Sequence, residues 1–95
     1  MHDERVKYQV YVLWLKGHSL STIGHWTKLR TKQLAGIVNR SPWVNRSAMS
    51  HDDRQAALNE LKAIRIGADG KPLDRGMFDR IDWTPLPLTK DQVRG

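Results

Sequence analysis

The stretch Leu20–Arg40, LSTIGHWTKLRTKQLAGIVNR, constrains the fold more than any other part of the chain. Apolar residues fall at Leu20, Ile23, Leu29, Leu34 and Ile37, and Gly24 follows Ile23. That spacing predicts two short helices joined by a tight turn and crossing at a steep angle. Ile23 and Leu29 would lie beneath the crossing, Leu34 and Ile37 would seat the second helix, and Gly24 would let the backbones approach. Thr31 is the expected N-cap of the second helix, because its hydroxyl can accept from a free backbone N–H. That helix turns Leu34, Ile37 and Val38 inward and leaves Lys32, Gln33, Gly36, Asn39 and Arg40 outside.

Charge is distributed in a way that matters more than its total. The net charge is +6, yet no acidic residue occurs between Glu4 and Asp52. That interval holds Arg5, Lys7, Lys16, Lys28, Arg30, Lys32, Arg40 and Arg46. From Gly67 onward, Lys71, Arg75, Arg80, Lys90 and Arg94 are balanced by Asp69, Asp74, Asp79, Asp82 and Asp91. A field of one sign over the first two-thirds attracts polyanions, and in a helical protein duplex DNA is the foremost one. The plainer alternative is a solvated basic face.

The flanking segments read as further helices. Asp3 can cap a first helix carrying Val6, Val10, Leu13 and Trp14 at helical spacing, with Lys16 in its last turn and Gly17 as its stop. Trp14 reads as a core residue. Ser19 is the N-cap expected for the next helix, and Trp26 is expected to cover the core beside Leu29 and Leu34. Ser50 with Asp53 makes a capping pair for a last helix, where Ala57, Leu61 and Ile64 form a stripe beside Leu58 and Gly67 is the stop. Asp69-Gly70 marks a turn, and a hairpin across Ile66 to Leu73 would make a wing-like arm. Beyond it, Met77, Phe78, Ile81, Trp83, Leu86 and Leu88 are too many large apolar residues for a solvated tail. Either this tail wraps the core or it orders on a partner. Phe78, Ile81, Trp83 and Leu86 are the partner-binding candidates.

Lys16-Gly17-His18, a polar first turn, Ile23-Gly24, Leu29, Thr31, Leu34 and Ile37 together resemble the helix-turn-helix of DNA-binding domains. The style is that of the DNA-binding module of site-specific invertases and resolvases, and of related transposase-type or phage regulators. The resemblance covers about a quarter of the chain. Lys28 stands where the turn usually has Gly, and Thr27 where an apolar residue is usual, which predicts a longer or differently shaped turn. The implied fold class is all-α, a small helix-turn-helix domain of about four helices over residues 1–67 with an irregular tail over 68–95.

The implied function is sequence-specific binding of double-stranded DNA, as a small transcriptional regulator or an accessory protein of a phage or mobile element. The start of a recognition helix reaches base edges in the major groove, so Arg30, Thr31, Lys32 and Gln33 are the first base-contact candidates, with Asn39 beyond them and Gly36 as a point of close approach. Lys16, Lys28, Arg40 and Arg46 are the phosphate-contact candidates. The alternative is a protein-interaction module on the same scaffold that regulates RNA polymerase or another regulator. A homodimer is compatible with either. RNA binding ranks lower, since the few aromatics read as core rather than as a stacking platform.

Catalysis finds no support. The chain has no Cys, no nucleophile elbow and no glycine-rich phosphate loop. Asp74, Asp79 and Asp82 lack calcium-loop spacing, and the four histidines form no metal-binding pair. No enzyme activity, metal or cofactor is expected. No apolar run is long enough to span a bilayer and no signal-peptide pattern is present, so a cytoplasmic or nucleoid location is expected.

Overall fold

A computed structural model of the chain describes residues 4–88. Four α-helices lie within them: α1 (Glu4–Lys16), α2 (Leu20–Thr27), α3 (Thr31–Asn39) and α4 (His51–Ala63), with a 3₁₀ turn at Arg46–Ala48. The all-α class is therefore observed. Asp3, the expected cap of α1, lies outside the described residues.

The hub is α1. Tyr8, Gln9, Val10 and every residue from Val12 to Lys16 are buried. A helix covered on nearly every side is the element around which the others pack. α1 meets α2, α3 and α4, and α2 meets α3. One core joins Val10, Leu13, Trp14, Ile23, Leu34, Ile37, Leu58 and Phe78, among others.

Local signals set most helix ends. Gly17, at φ 109°, closes α1 with its N–H on the Trp14 carbonyl while the His18 N–H reaches the Leu13 carbonyl. These are the paired bonds of a glycine-terminated helix. Ser19 Oγ accepts from Thr22 N at 3.2 Å, and Ser50 Oγ accepts from Asp53 N at 3.0 Å, as the sequence predicts.

Two ends differ from expectation. Arg30, not Thr31, is the N-cap of α3, and Thr31 is its first helical residue. The Arg30 N–H donates to Gln33 Oε1 at 3.0 Å, so a glutamine three residues on does the capping that the Thr31 hydroxyl was expected to do. α4 ends at Ala63 rather than at Gly67, and Ile64 is 58% exposed. The cause is the hairpin that follows. Leu73 N donates to Arg65 O and Gly67 N to Lys71 O, both at 2.8 Å, with Ile66 bridged to Pro72. These pairings turn the chain away before Ile64 can face the core.

The segment after the hairpin is not a separate tail. Phe78 is fully buried, with Tyr8 and Trp83 ring centroids 6.4 and 6.0 Å away. Ile81 and Trp83 are half-buried against the same core. Leu86 N donates to Lys16 O at 2.8 Å, and Gln55 Nε2 donates to Trp83 O at 2.7 Å. Residues 68–88 thus complete the domain placed at 1–67, and of the two alternatives for this segment the wrapped one holds. Phe78 is withdrawn as a partner contact because no partner could reach it.

Candidate nucleic-acid interface

The α2–α3 pair is built as the apolar pattern requires. Ile23 and Leu34 are fully buried, and each such burial contributes about 1.5–3 kcal/mol. A Cβ on Gly24 would lie 3.0 Å from the Leu29 carbonyl oxygen and 3.5 Å from Leu34 Cδ1, so any larger residue would have to push the Leu29 backbone away by a few tenths of an ångström. The turn is three residues, Lys28–Arg30. Lys28 adopts the left-handed conformation itself (φ 64°, ψ 22°), with its N–H on Gly24 O at 2.8 Å. The lysine therefore takes on the glycine-like backbone, at a cost of roughly 1 kcal/mol, and the turn stays short. Thr27 supports it: its hydroxyl donates to Ile23 O at 2.8 Å and accepts from Leu29 N at 3.4 Å.

The outer surface of α3 carries the base-contact candidates. Arg30, Thr31, Lys32, Gln33 and Asn39 are exposed, and Gly36 is half-buried. At 3.6 residues per turn, Lys32, Gly36 and Asn39 form one row and Gln33, Gly36 and Arg40 its neighbour. Gly36 is thus the low point between longer polar side chains. A Cβ built there meets nothing within 4 Å. The fold's own packing gives no reason for a glycine that costs about 1 kcal/mol relative to alanine in a helix interior. Gln33 has its side-chain oxygen engaged at the Arg30 N–H, which leaves its amide nitrogen as the group that can donate to a base.

The four phosphate-contact candidates separate into two pairs. Lys28 and Arg40 are exposed. Among the described residues neither they nor Arg30 and Lys32 lie in an ion pair. Lys16 and Arg46 are buried, at 6% and 2% exposure, and are withdrawn as phosphate contacts. Lys16 Nζ donates to Thr84 O at 2.7 Å and to Asp82 O. Arg46 Nη1 donates to Trp14 O and His18 O, both at 2.7 Å, and its guanidinium lies 3.5 Å above the Trp14 ring.

Arg54, which the sequence reading passed over, belongs with them. It donates twice to Leu15 O, at 3.0 and 2.8 Å, and once to Leu86 O at 2.9 Å. Arg46 and Arg54 thereby satisfy carbonyls at the C-terminal end of α1, where the helix dipole is negative and intrahelical donors are missing. Burial pushes both guanidinium groups down from their ordinary values, and Arg54 adds to the effect on Arg46, which falls to about 10 and stays charged at neutral pH. Burial lowers Lys16 too, with Asp82 acting against it. His18 is lowered by burial and then by Lys16 and Arg46, so it is neutral at pH 7. The signal that could have exposed this cluster is the helical spacing of Arg54 to Ala57, Leu58 and Leu61 (i+3, i+4 and i+7), which puts an arginine on the apolar side of α4.

The remaining tail candidates are only partly available. Leu86 is 43% exposed, but its backbone is bonded at both N–H and carbonyl. Trp26 is 39% exposed and its ring centroid lies 6.3 Å from that of Phe78, a member of the core. Among the described residues no three His, Cys, Asp or Glu side chains lie together as metal ligands, and no helix is long and apolar enough to cross a membrane.

Fold and surface together define a small all-α domain whose α3 face carries cations that lie in no ion pair among the described residues. No protein-family model matches the chain, and neither a curated protein nor a solved structure matches it.

Proposed function

We propose that the chain binds double-stranded DNA in a sequence-specific manner, with α2, the Lys28–Arg30 turn and α3 acting as a helix-turn-helix. The role is that of a small transcriptional regulator or an accessory protein of a phage or mobile element. One observation carries the reading: the exposed face of α3 combines cations that no carboxylate among the described residues pairs with and a glycine that internal packing does not require. Lys28 and Arg40 supply phosphate contacts that fix the helix in the groove. Arg30, Thr31, Lys32, Gln33 and Asn39 supply donors and acceptors for base edges, and Gly36 lets the helix backbone come close. The protein-interaction alternative drew on an apolar tail, and that segment instead packs on its own core.

The test is a titration of the full chain against genomic-fragment and random-sequence duplexes at two salt concentrations. Tight binding to a subset of fragments that survives the higher salt supports the reading. Uniform weak binding that vanishes with salt would leave only a basic surface. Lys32→Ala should lower affinity and blur site preference, whereas Arg40→Ala should weaken all duplexes alike and reduce the salt slope by about 0.9. Equal behaviour of the two variants on both pools would overturn this division of roles.

A further inference from the structure

We propose that Arg75, from the segment after α4, is an additional phosphate contact for duplex DNA beside the α2–α3 turn. This rests on the DNA-binding reading and extends the interface beyond the helices that carry it.

The first ground is backbone conformation. Among the described residues, the non-glycine residues with positive φ are Lys28 at 64° and Arg75 at 56°. Left-handed backbone is costly for a residue with a Cβ and is worth relating to function where it occurs. Both residues here are basic and exposed. Gly76, at φ 88°, follows Arg75, and the Arg75 N–H closes a turn on Pro72 O at 3.1 Å. The chain thus spends two consecutive left-handed residues on a turn that presents one long cationic side chain. A glycine at position 75 would meet the same backbone demand without the charge.

The second ground is place. Arg75, Trp26 and Thr27 line one cleft of about 260 Å³, together with Arg5 and Met77. Thr27 is the residue before Lys28, so the two left-handed cations flank the same end of α2. That end leads directly into the N-terminus of α3, which carries the base-contact candidates. Trp26, on the wall of that cleft, is 39% exposed.

The third ground is charge. Arg75 has no ion-pair partner among the described residues, although aspartates are close in sequence. Asp74, the acid of the cleft, is fully buried and is held by Arg65 at 3.0 Å and by Phe78 N at 2.6 Å. Asp79 is also taken by Arg65, and Asp69 by Arg5 at 2.7 Å. The carboxylates of Asp69, Asp74 and Asp79 are therefore engaged elsewhere. A phosphodiester on the strand flanking the groove read by α3 fits an exposed guanidinium that has no ion-pair partner among the described residues.

The experiment compares the wild-type chain with Arg75→Gly and Arg75→Lys on a selected duplex and a random duplex across a tenfold range of salt. Arg75→Gly should bind both duplexes more weakly by the same factor. Its log–log salt slope should be shallower by about 0.9, about an eightfold smaller loss of affinity over that range. The ratio between the two duplexes should not change, and the melting temperature should not fall. Arg75→Lys should restore the slope. If the wild-type chain binds DNA and Arg75→Gly has an unchanged slope, the contact at Arg75 is refuted while the α3 reading stands. If the wild-type chain binds no duplex at all, both fall together.

Discussion

Two groups of cations interleave in sequence and do opposite work. Lys16, Arg46 and Arg54 are buried and spend their hydrogen bonds on backbone carbonyls at the end of α1 and in the segment that wraps it. Lys28, Arg30, Lys32 and Arg40 are exposed on the α2–α3 face and lie in no ion pair among the described residues. Both groups fall within or beside one acid-free interval, so composition alone makes them look alike. What separates them is the supply of acceptors. The C-terminal turn of α1 offers carbonyls with no helical donor, and a buried guanidinium can satisfy two at once. The outer face of α3 offers none, so its cations remain available to a polyanion.

The sharpest way to break this comparison is to truncate one member of each group. Arg46→Ala should destabilise the fold by about 3 kcal/mol or more, because it removes the hydrogen bonds to the Trp14 and His18 carbonyls and empties the space over Trp14. Arg40→Ala should change stability by less than about 0.5 kcal/mol while weakening DNA binding. Urea denaturation of both variants reads the contrast directly, and similar losses of stability would remove the distinction.

Alkaline pH extends it to a neutral donor. Tyr8 is buried and its hydroxyl donates to Leu61 O at 2.7 Å, near the end of α4. Burial, reinforced by Asp74, pushes the phenol up to about 12 from an unfolded value of 10.0. Its folded value is raised, so its contribution is complete below pH 10 and is lost as pH rises through about 12. That contribution is roughly 2–3 kcal/mol at most. Tyr8→Phe should therefore be less stable than wild type at pH 8 and show a flatter decline above pH 10. Parallel stability–pH curves would mean that Tyr8 does not carry this dependence.

The two helix glycines sharpen the comparison on a smaller scale. Gly24→Ala forces a Cβ against a backbone oxygen at 3.0 Å and should cost about 1–3 kcal/mol. Gly36→Ala meets open space and should add about 0.5–1 kcal/mol of stability while lowering DNA affinity. A stabilised variant that still binds as well as wild type would free Gly36 from any role in close approach. Smallest of all, Lys28→Gly should raise stability by about 0.5 kcal/mol through relief of its left-handed backbone, partly offset by the looser unfolded chain. A thermal melt would detect the sign.

The interface candidates were legible because exposure on a short helix follows from its period. Lys32, Gln33, Gly36 and Asn39 lie opposite Leu34, Ile37 and Val38, and both sets fell where helical spacing puts them. Ser19, Ser50 and Gly17 set helix ends because caps act within a few residues of themselves. Other features were hidden because their partners are remote in sequence. Lys16 and Arg46 resemble any surface cation until Asp82, Thr84, Trp14 and His18 are brought to them. Ile64 fits the apolar stripe of α4 until the Arg65–Leu73 pairing turns the chain.

By itself, then, the sequence determined the all-α class, the α2–α3 crossing and the identity of the exposed basic face, because helix period and capping are local properties of the chain. Only the tertiary structure decided which cations are available to a partner and whether residues 68–88 are tail or core. A buried charge needs acceptors, and a Phe78 needs a cavity; both are supplied by segments more than 25 residues away.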